Sequence, residues 1–88
     1  MLTHKRGDEG APEIETWARR VGREVEPALD VQASYDSDSS TYVLRLIKGS
    51  RVLVFRLSEA QAHDPAREGE CERILKRKIQ DLAHMLDR

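Results

Sequence analysis

The stretch that most constrains this chain runs from Tyr42 to Leu57, Y-V-L-R-L-I-K-G-S-R-V-L-V-F-R-L. Two apolar runs of β-branched and aromatic character flank Gly49-Ser50, a pair suited to a two-residue turn because glycine supplies the positive φ needed at the first turn position. With those two as the turn, Lys48 faces Arg51, Ile47 faces Val52, Leu46 faces Leu53, Arg45 faces Val54 and Leu44 faces Phe55. Successive strand side chains point to opposite faces. One face then carries Tyr42, Leu44, Leu46, Leu53, Phe55 and Leu57, with no charge among them. A slip of one residue would bring charge into that set, so the pairing is tightly specified.

The second face carries Val43, Arg45, Ile47, Val52, Val54 and Arg56. A solvated strand face is ordinarily polar, whereas four of these six are β-branched aliphatics. Strand propensity favours Val and Ile even where they are half exposed. The same four also form an uncovered apolar patch of the kind that marks a contact surface.

The rest of the chain supplies cover for the first face. Pro12 suits a helix start, and Glu13 and Glu15 in the first turn complement the helix dipole. Ile14, Trp17, Ala18, Val21 and Val25 follow helical spacing, with Arg19, Arg20, Arg23 and Glu24 largely off that stripe. Gly22 within the helix predicts a close packing contact, and Pro27 ends the helix through its effect on Glu26. Leu29 to Tyr35 alternates as a half-buried strand, and Asp36-Ser37-Asp38-Ser39-Ser40 forms the following loop. Ser58-Glu59-Ala60-Gln61 is a capping box opening a short helical turn, interrupted by Asp64-Pro65 and Gly69. A last helix is expected from about Glu70 to about Asp87, with Cys71, Ile74, Leu75, Ile79, Leu82 and Leu86 on its apolar stripe. Residues 1–10 are polar, charged and contain two glycines, and are expected to form a flexible tail ahead of one small α+β domain, residues 11–88. The predicted architecture is α+β in αβββα order: a three-stranded antiparallel meander with two main helices packed on one face.

Catalysis finds no support in the residues. There is no phosphate-binding glycine loop and no G-x-S-x-G turn. Cys71 is the single cysteine, flanked by Glu70 and Glu72 whose charge opposes a thiolate, and is expected as a small buried hydrophobe. His4, His63 and His84 show no ligand spacing with each other or with Cys71. Asp36, Asp38 and Ser40 match the opening of a calcium loop, but the sixth position is not glycine and the twelfth is Ile47. No cofactor, metal or enzymatic activity is therefore expected. A lone cysteine, the lack of an apolar signal core and the lack of a membrane-length apolar run fit a cytoplasmic protein with no membrane partner.

The net charge is −1, so no overall field draws the chain to nucleic acid. It is nonetheless divided: residues 1–40 hold five basic and nine acidic side chains, residues 41–88 ten basic and seven acidic. Lys48 and Arg51 at the hairpin tip, with Arg73, Lys76, Arg77 and Lys78 on the last helix, are the candidate nucleic-acid contacts. Single-strand binders place aromatic rings on the binding surface, and here Tyr42 and Phe55 point to the core face.

The order helix, three strands, helix is similar to the double-stranded-RNA-binding fold, over Pro12 to Asp87 and in topology alone. The resemblance implies a lysine-rich start to the last helix and a loop between the first two strands that enters a minor groove. Here those places hold Glu70-Cys71-Glu72 and Asp36-Ser37-Asp38-Ser39-Ser40, which would set negative charge against phosphate. The topology also looks like that of small bacterial toxins that cleave messenger RNA with a strand histidine, and these strands have none. Fold does not fix function, so neither activity is carried over. The leading expectation is a non-enzymatic protein-interaction module, its partner itself or another protein, self-associating through Val43, Ile47, Val52 and Val54 with Arg45 and Arg56 as polar contacts. The alternative is RNA or DNA binding through the basic hairpin tip and last helix.

Overall fold

The computed structural model of this chain describes residues 1–85. Helix α1 spans Ala11–Val25, strands β1, β2 and β3 span Asp30–Asp36, Thr41–Lys48 and Arg51–Ser58, and helices α2 and α3 span Glu59–His63 and Glu68–Ala83. The strands form one antiparallel sheet in the order β1-β2-β3. The β2–β3 pairing runs one-to-one from Lys48↔Arg51 to Thr41↔Ser58, including every pair the alternation predicts. Gly49 takes φ +61° at the turn, as a two-residue hairpin of this hand requires.

Both long helices lie over the same face, α1 above β1 and β2, α3 above β2 and β3. Ile14, Trp17, Ala18 and Val21 of α1 and Cys71, Leu75, Ile79 and Leu82 of α3 close a single cluster with Val31, Tyr42, Leu44, Leu46, Phe55 and Leu57. Leu53 and Val25, expected in the core, are only partly buried at its margin. Gly22 is where α1 passes closest to its neighbours. A Cβ there would collide with Leu29 Cδ2 and lie 2.8 Å from Ile79 Cδ1.

Capping explains the connection into α3. Ser58 Oγ accepts from Gln61 N–H at 3.1 Å while Gln61 Oε1 accepts from Ser58 N–H at 3.0 Å, a reciprocal box that starts α2. Asp64 Oδ1 then accepts from Ala66 N–H at 2.9 Å, and a 3-10 turn, Pro65–Arg67, leads straight into α3. The helix therefore starts two residues before the expected Glu70. Gly69 falls in the first turn, where no i−4 bond exists to lose. The last helix ends at Ala83 rather than near Asp87. Leu86 and Asp87, expected to complete it, lie outside the described residues.

Residues 1–10, expected as a tail, lie packed against the domain. Leu2 and Thr3 are buried, and a 3-10 turn covers Gly7–Gly10. Leu2 N–H donates to Ala62 O at 2.8 Å, Thr3 Oγ1 donates to Glu13, and Gly7 N–H donates to Glu59 Oε2 at 2.7 Å. Tyr42, fully buried, donates its hydroxyl to Gly7 O at 3.0 Å, and burial, then the charge of Glu59, pushes its phenol above the usual range. One leucine and a set of backbone bonds to distant residues hold this segment. A polar composition hides both.

Candidate interaction surface

The six residues of the second face are gathered as a lattice. Ile47 stands beside Val52, Arg45 beside Val54 and Val43 beside Arg56, with Asp30, Gln32 and Ser34 of β1 completing the rows. Val52 is 39% exposed and Val54 47%, Val43 and Ile47 are half-buried, and Arg45 and Arg56 are exposed. Arg45 Nη1 donates to Gln32 Oε1 at 3.2 Å, which lays that guanidinium across the face. Because α1 and α3 both occupy the opposite side, no described helix covers these valines.

The two margins of the sheet differ. Along β1, three backbone groups that point away from β2, at Leu29 just before the strand and at Val31 and Ala33, are met by side chains of α1. Arg23 Nε donates to Leu29 O at 3.1 Å, Arg19 Nη2 donates to Val31 O at 2.8 Å, and Glu15 Oε1 accepts from Ala33 N–H at 2.9 Å. The three donors and acceptors sit at i, i+4 and i+8 of the helix. Four helical residues rise about 6 Å and two strand residues about 6.6 Å, so the helix comb matches the strand's repeat of outward groups. Arg19 is held in place by Glu15 at 3.7 Å and Asp30 at 3.3 Å. In the sequence these residues are marked only as lying off the apolar stripe; their four-residue recurrence beside a stripe that faces a strand is the signal for this role.

The opposite margin has no such cover among the described residues. The same alternation that turns Val31 and Ala33 of β1 outward turns Val52, Val54 and Arg56 of β3 outward, their N–H and C=O directed away from β2. The strand has no proline, and its one-to-one pairing leaves no bulge.

The basic residues proposed for nucleic acid do not form one open cluster. Lys48 Nζ pairs with Glu26 Oε1 at 2.5 Å, and that bond, with the Ala28 N–H, holds the Glu26 carboxyl below its usual range. Arg51 Nη1 donates to Ala83 O at 3.3 Å. Lys76 Nζ lies 3.3 Å from Glu72 and 3.4 Å from Glu24, and the two carboxylates, Glu72 foremost, raise its ammonium above the ordinary range. Arg73 and Arg77 are exposed and Lys78 is half-buried. Asp36 serves its own loop: its carboxylate accepts from Asp38 N–H at 3.1 Å and from Ser39 Oγ at 2.9 Å.

Reactive groups are dispersed. Cys71 is buried, and burial, then the charge of Glu70, pushes its thiol up. His63 Nε2 lies 2.7 Å from Lys5 O, while His4 and His84 are exposed. Among the described residues no three His, Cys, Asp or Glu side chains converge as metal ligands, and no helix is long and apolar enough to cross a membrane. A cavity of about 410 Å³ lies between the first residues and α1, lined by Leu2, Thr3, His4, Glu13, Trp17 and Arg20 among others. Thr3 and Glu13 there bond to each other.

No protein-family profile, no curated protein and no solved structure matches this chain.

Proposed function

We propose that the protein is a non-enzymatic interaction module that self-associates through the outer face of its sheet. Val43, Ile47, Val52 and Val54 form the apolar contact, and Arg45 and Arg56 the polar one. The observation that carries the reading is the exposure of Val52 and Val54, 39% and 47%, on a face left bare while both long helices crowd the other. Isolated exposed valines are ordinary; four β-branched side chains sharing one flat surface are not.

A second copy suits this surface through its charges. A two-fold axis along the strands lays β3 of one protomer over β1 of its partner. Arg56 of β3 then sits over the exposed Ser34, two residues along β1 from Asp36, on the strand whose outer row ends in Asp30 and Asp36. Arg45 of β2 lies on the axis opposite its own copy, drawn to one side by Gln32. The size sets the strength. Three strands at about 4.8 Å and eight residues at about 3.3 Å give a face of roughly 14 by 26 Å, about 370 Å². Stable specific interfaces take about 800 Å² per partner, so one face alone predicts weak association. Sedimentation over a concentration series tests the reading. Association in the high-micromolar range is expected, weakened by Val52→Thr with Val54→Thr, which keep shape and strand propensity while adding hydroxyls. A protein that stays monomeric throughout, or an assembly indifferent to both substitutions, refutes it.

A further inference from the structure

The difference between the sheet's two margins carries a second conclusion. We propose that a second copy pairs along β3, strand against strand, so that two protomers share one six-stranded antiparallel sheet. The inference rests on the reading that the partner is another copy of this chain, and it names a contact that the outer face alone does not provide.

Three observations point to it. An edge strand presents unpaired N–H and C=O groups and is normally blunted by proline, a bulge, charge or a covering element. Edge β1 is covered from Leu29 to Ala33, where Glu15, Arg19 and Arg23 bond three of its outward groups. Edge β3 lacks proline and bulge, and its outward residues Val52 and Val54 are among the most exposed apolar side chains of the described chain.

Second, β3 is complementary to itself. Pairing about a two-fold axis through Val54 sets Val54 against its own copy and Val52 against Arg56 of the other protomer. Those are the residues whose backbone groups face outward, so each pair can exchange both hydrogen bonds. The same alignment sets Leu53 against Phe55 and Arg51 against Leu57 on the core side. No arginine faces an arginine, whereas an axis through Arg56 would oppose two like charges. Alignment by an odd shift would mix the two faces and is excluded by the same alternation that fixes the hairpin.

Third, α3 offers apolar surface over that margin. Lys76 reaches Glu24 of α1, so its flank of α3 faces α1. At 100° per residue Ile74 lies on the opposite flank, above the β3 edge, and it is 37% exposed. Leu53, on the core side of β3, is only partly buried. Joining two β3 strands brings both α3 helices to the seam and gives these side chains cover. It also doubles the outer face to roughly 740 Å², close to the standard area per partner, so that two six-stranded sheets can stack where two three-stranded ones bind weakly.

Amide hydrogen exchange at low and high protein concentration, read residue by residue beside sedimentation, separates the two contacts. Edge pairing predicts that the Val52, Val54 and Arg56 amides become protected as the protein associates. Stacking through the face alone leaves them open. Val54→Pro removes one outward N–H without touching the hairpin ladder, and is expected to weaken association by about tenfold or more relative to Val54→Thr, which keeps the donor. Protection of the three amides, in any assembly, sustains the inference even where Val54→Pro disturbs folding. An associated protein whose edge amides stay open overturns it and leaves the face reading standing. A protein that is monomeric at every concentration overturns both.

Discussion

Replacing Glu15 by Ala tests whether the charged row of α1 closes the β1 edge. The carboxylate accepts the Ala33 N–H at 2.9 Å and sits 3.7 Å from Arg19. A hydrogen bond to a charged group contributes about 1.5–3 kcal/mol when shielded. The Glu15 side chain is 31% exposed, so water replaces part of the bond and the expected loss is about 1 kcal/mol. For a domain of this size that lowers the melting temperature by roughly 4–8 °C, measurable by circular dichroism. The sharper readout is local. By alternation the Ala33 amide points away from the sheet, while the Gln32 and Ser34 amides point at β2. In the variant the Ala33 amide should exchange much faster and its two neighbours should keep their protection. An unchanged Ala33 rate refutes the idea that this side chain guards the edge. Equal acceleration of all three would mean that the strand as a whole had loosened, and would refute it too.

Other expectations follow from single contacts. Glu26 keeps its charge to lower pH in the folded protein than in an unfolded chain, where the ordinary value is 4.5. Its stabilising contribution is thus complete above that value and fades as pH falls through the depressed folded one. Glu26→Gln should flatten the acid limb of a melting-temperature profile and leave neutral pH values little altered beyond the lost Lys48 bond. Tyr42→Phe removes the hydroxyl bonded to Gly7 O and should destabilise by about 1 kcal/mol in chemical denaturation, with faster exchange across residues 2–10. Gly22→Ala gains up to about 1 kcal/mol of helix propensity. It meets Leu29 and Ile79 in a closed core, where overpacking costs about 1–3 kcal/mol. The net change should be destabilising, and a stabilised variant would show that the contact yields easily.

The sheet was legible in the sequence because its signals are periodic and local. Alternation from Tyr42 to Leu57 and a glycine at the turn determined each pairing in the hairpin, and the same alternation exposed the second apolar face. The short reciprocal cap at Ser58 and Gln61 was readable for the same reason. What escaped depends on partners far apart. Leu2 bonds to Ala62 and Gly7 to Glu59, contacts that leave no spacing to detect. Arg19 and Arg23 stood out only as residues off the apolar stripe, because bonds from side chains to a strand's backbone require the strand's position, not its composition. The face of the candidate site could be listed from residues alone. Its edge could not, since an open margin is defined by what the other margin already holds.

The guarded β1 border limits what any lateral joining can build. A ribbon with two bare borders can recruit neighbours indefinitely and polymerise toward fibrils. With one border occupied by Glu15, Arg19 and Arg23, each protomer has a single border left to offer, and lateral growth halts after one union. The three side chains thereby set a ceiling on size: they favour a finite particle and oppose a filament.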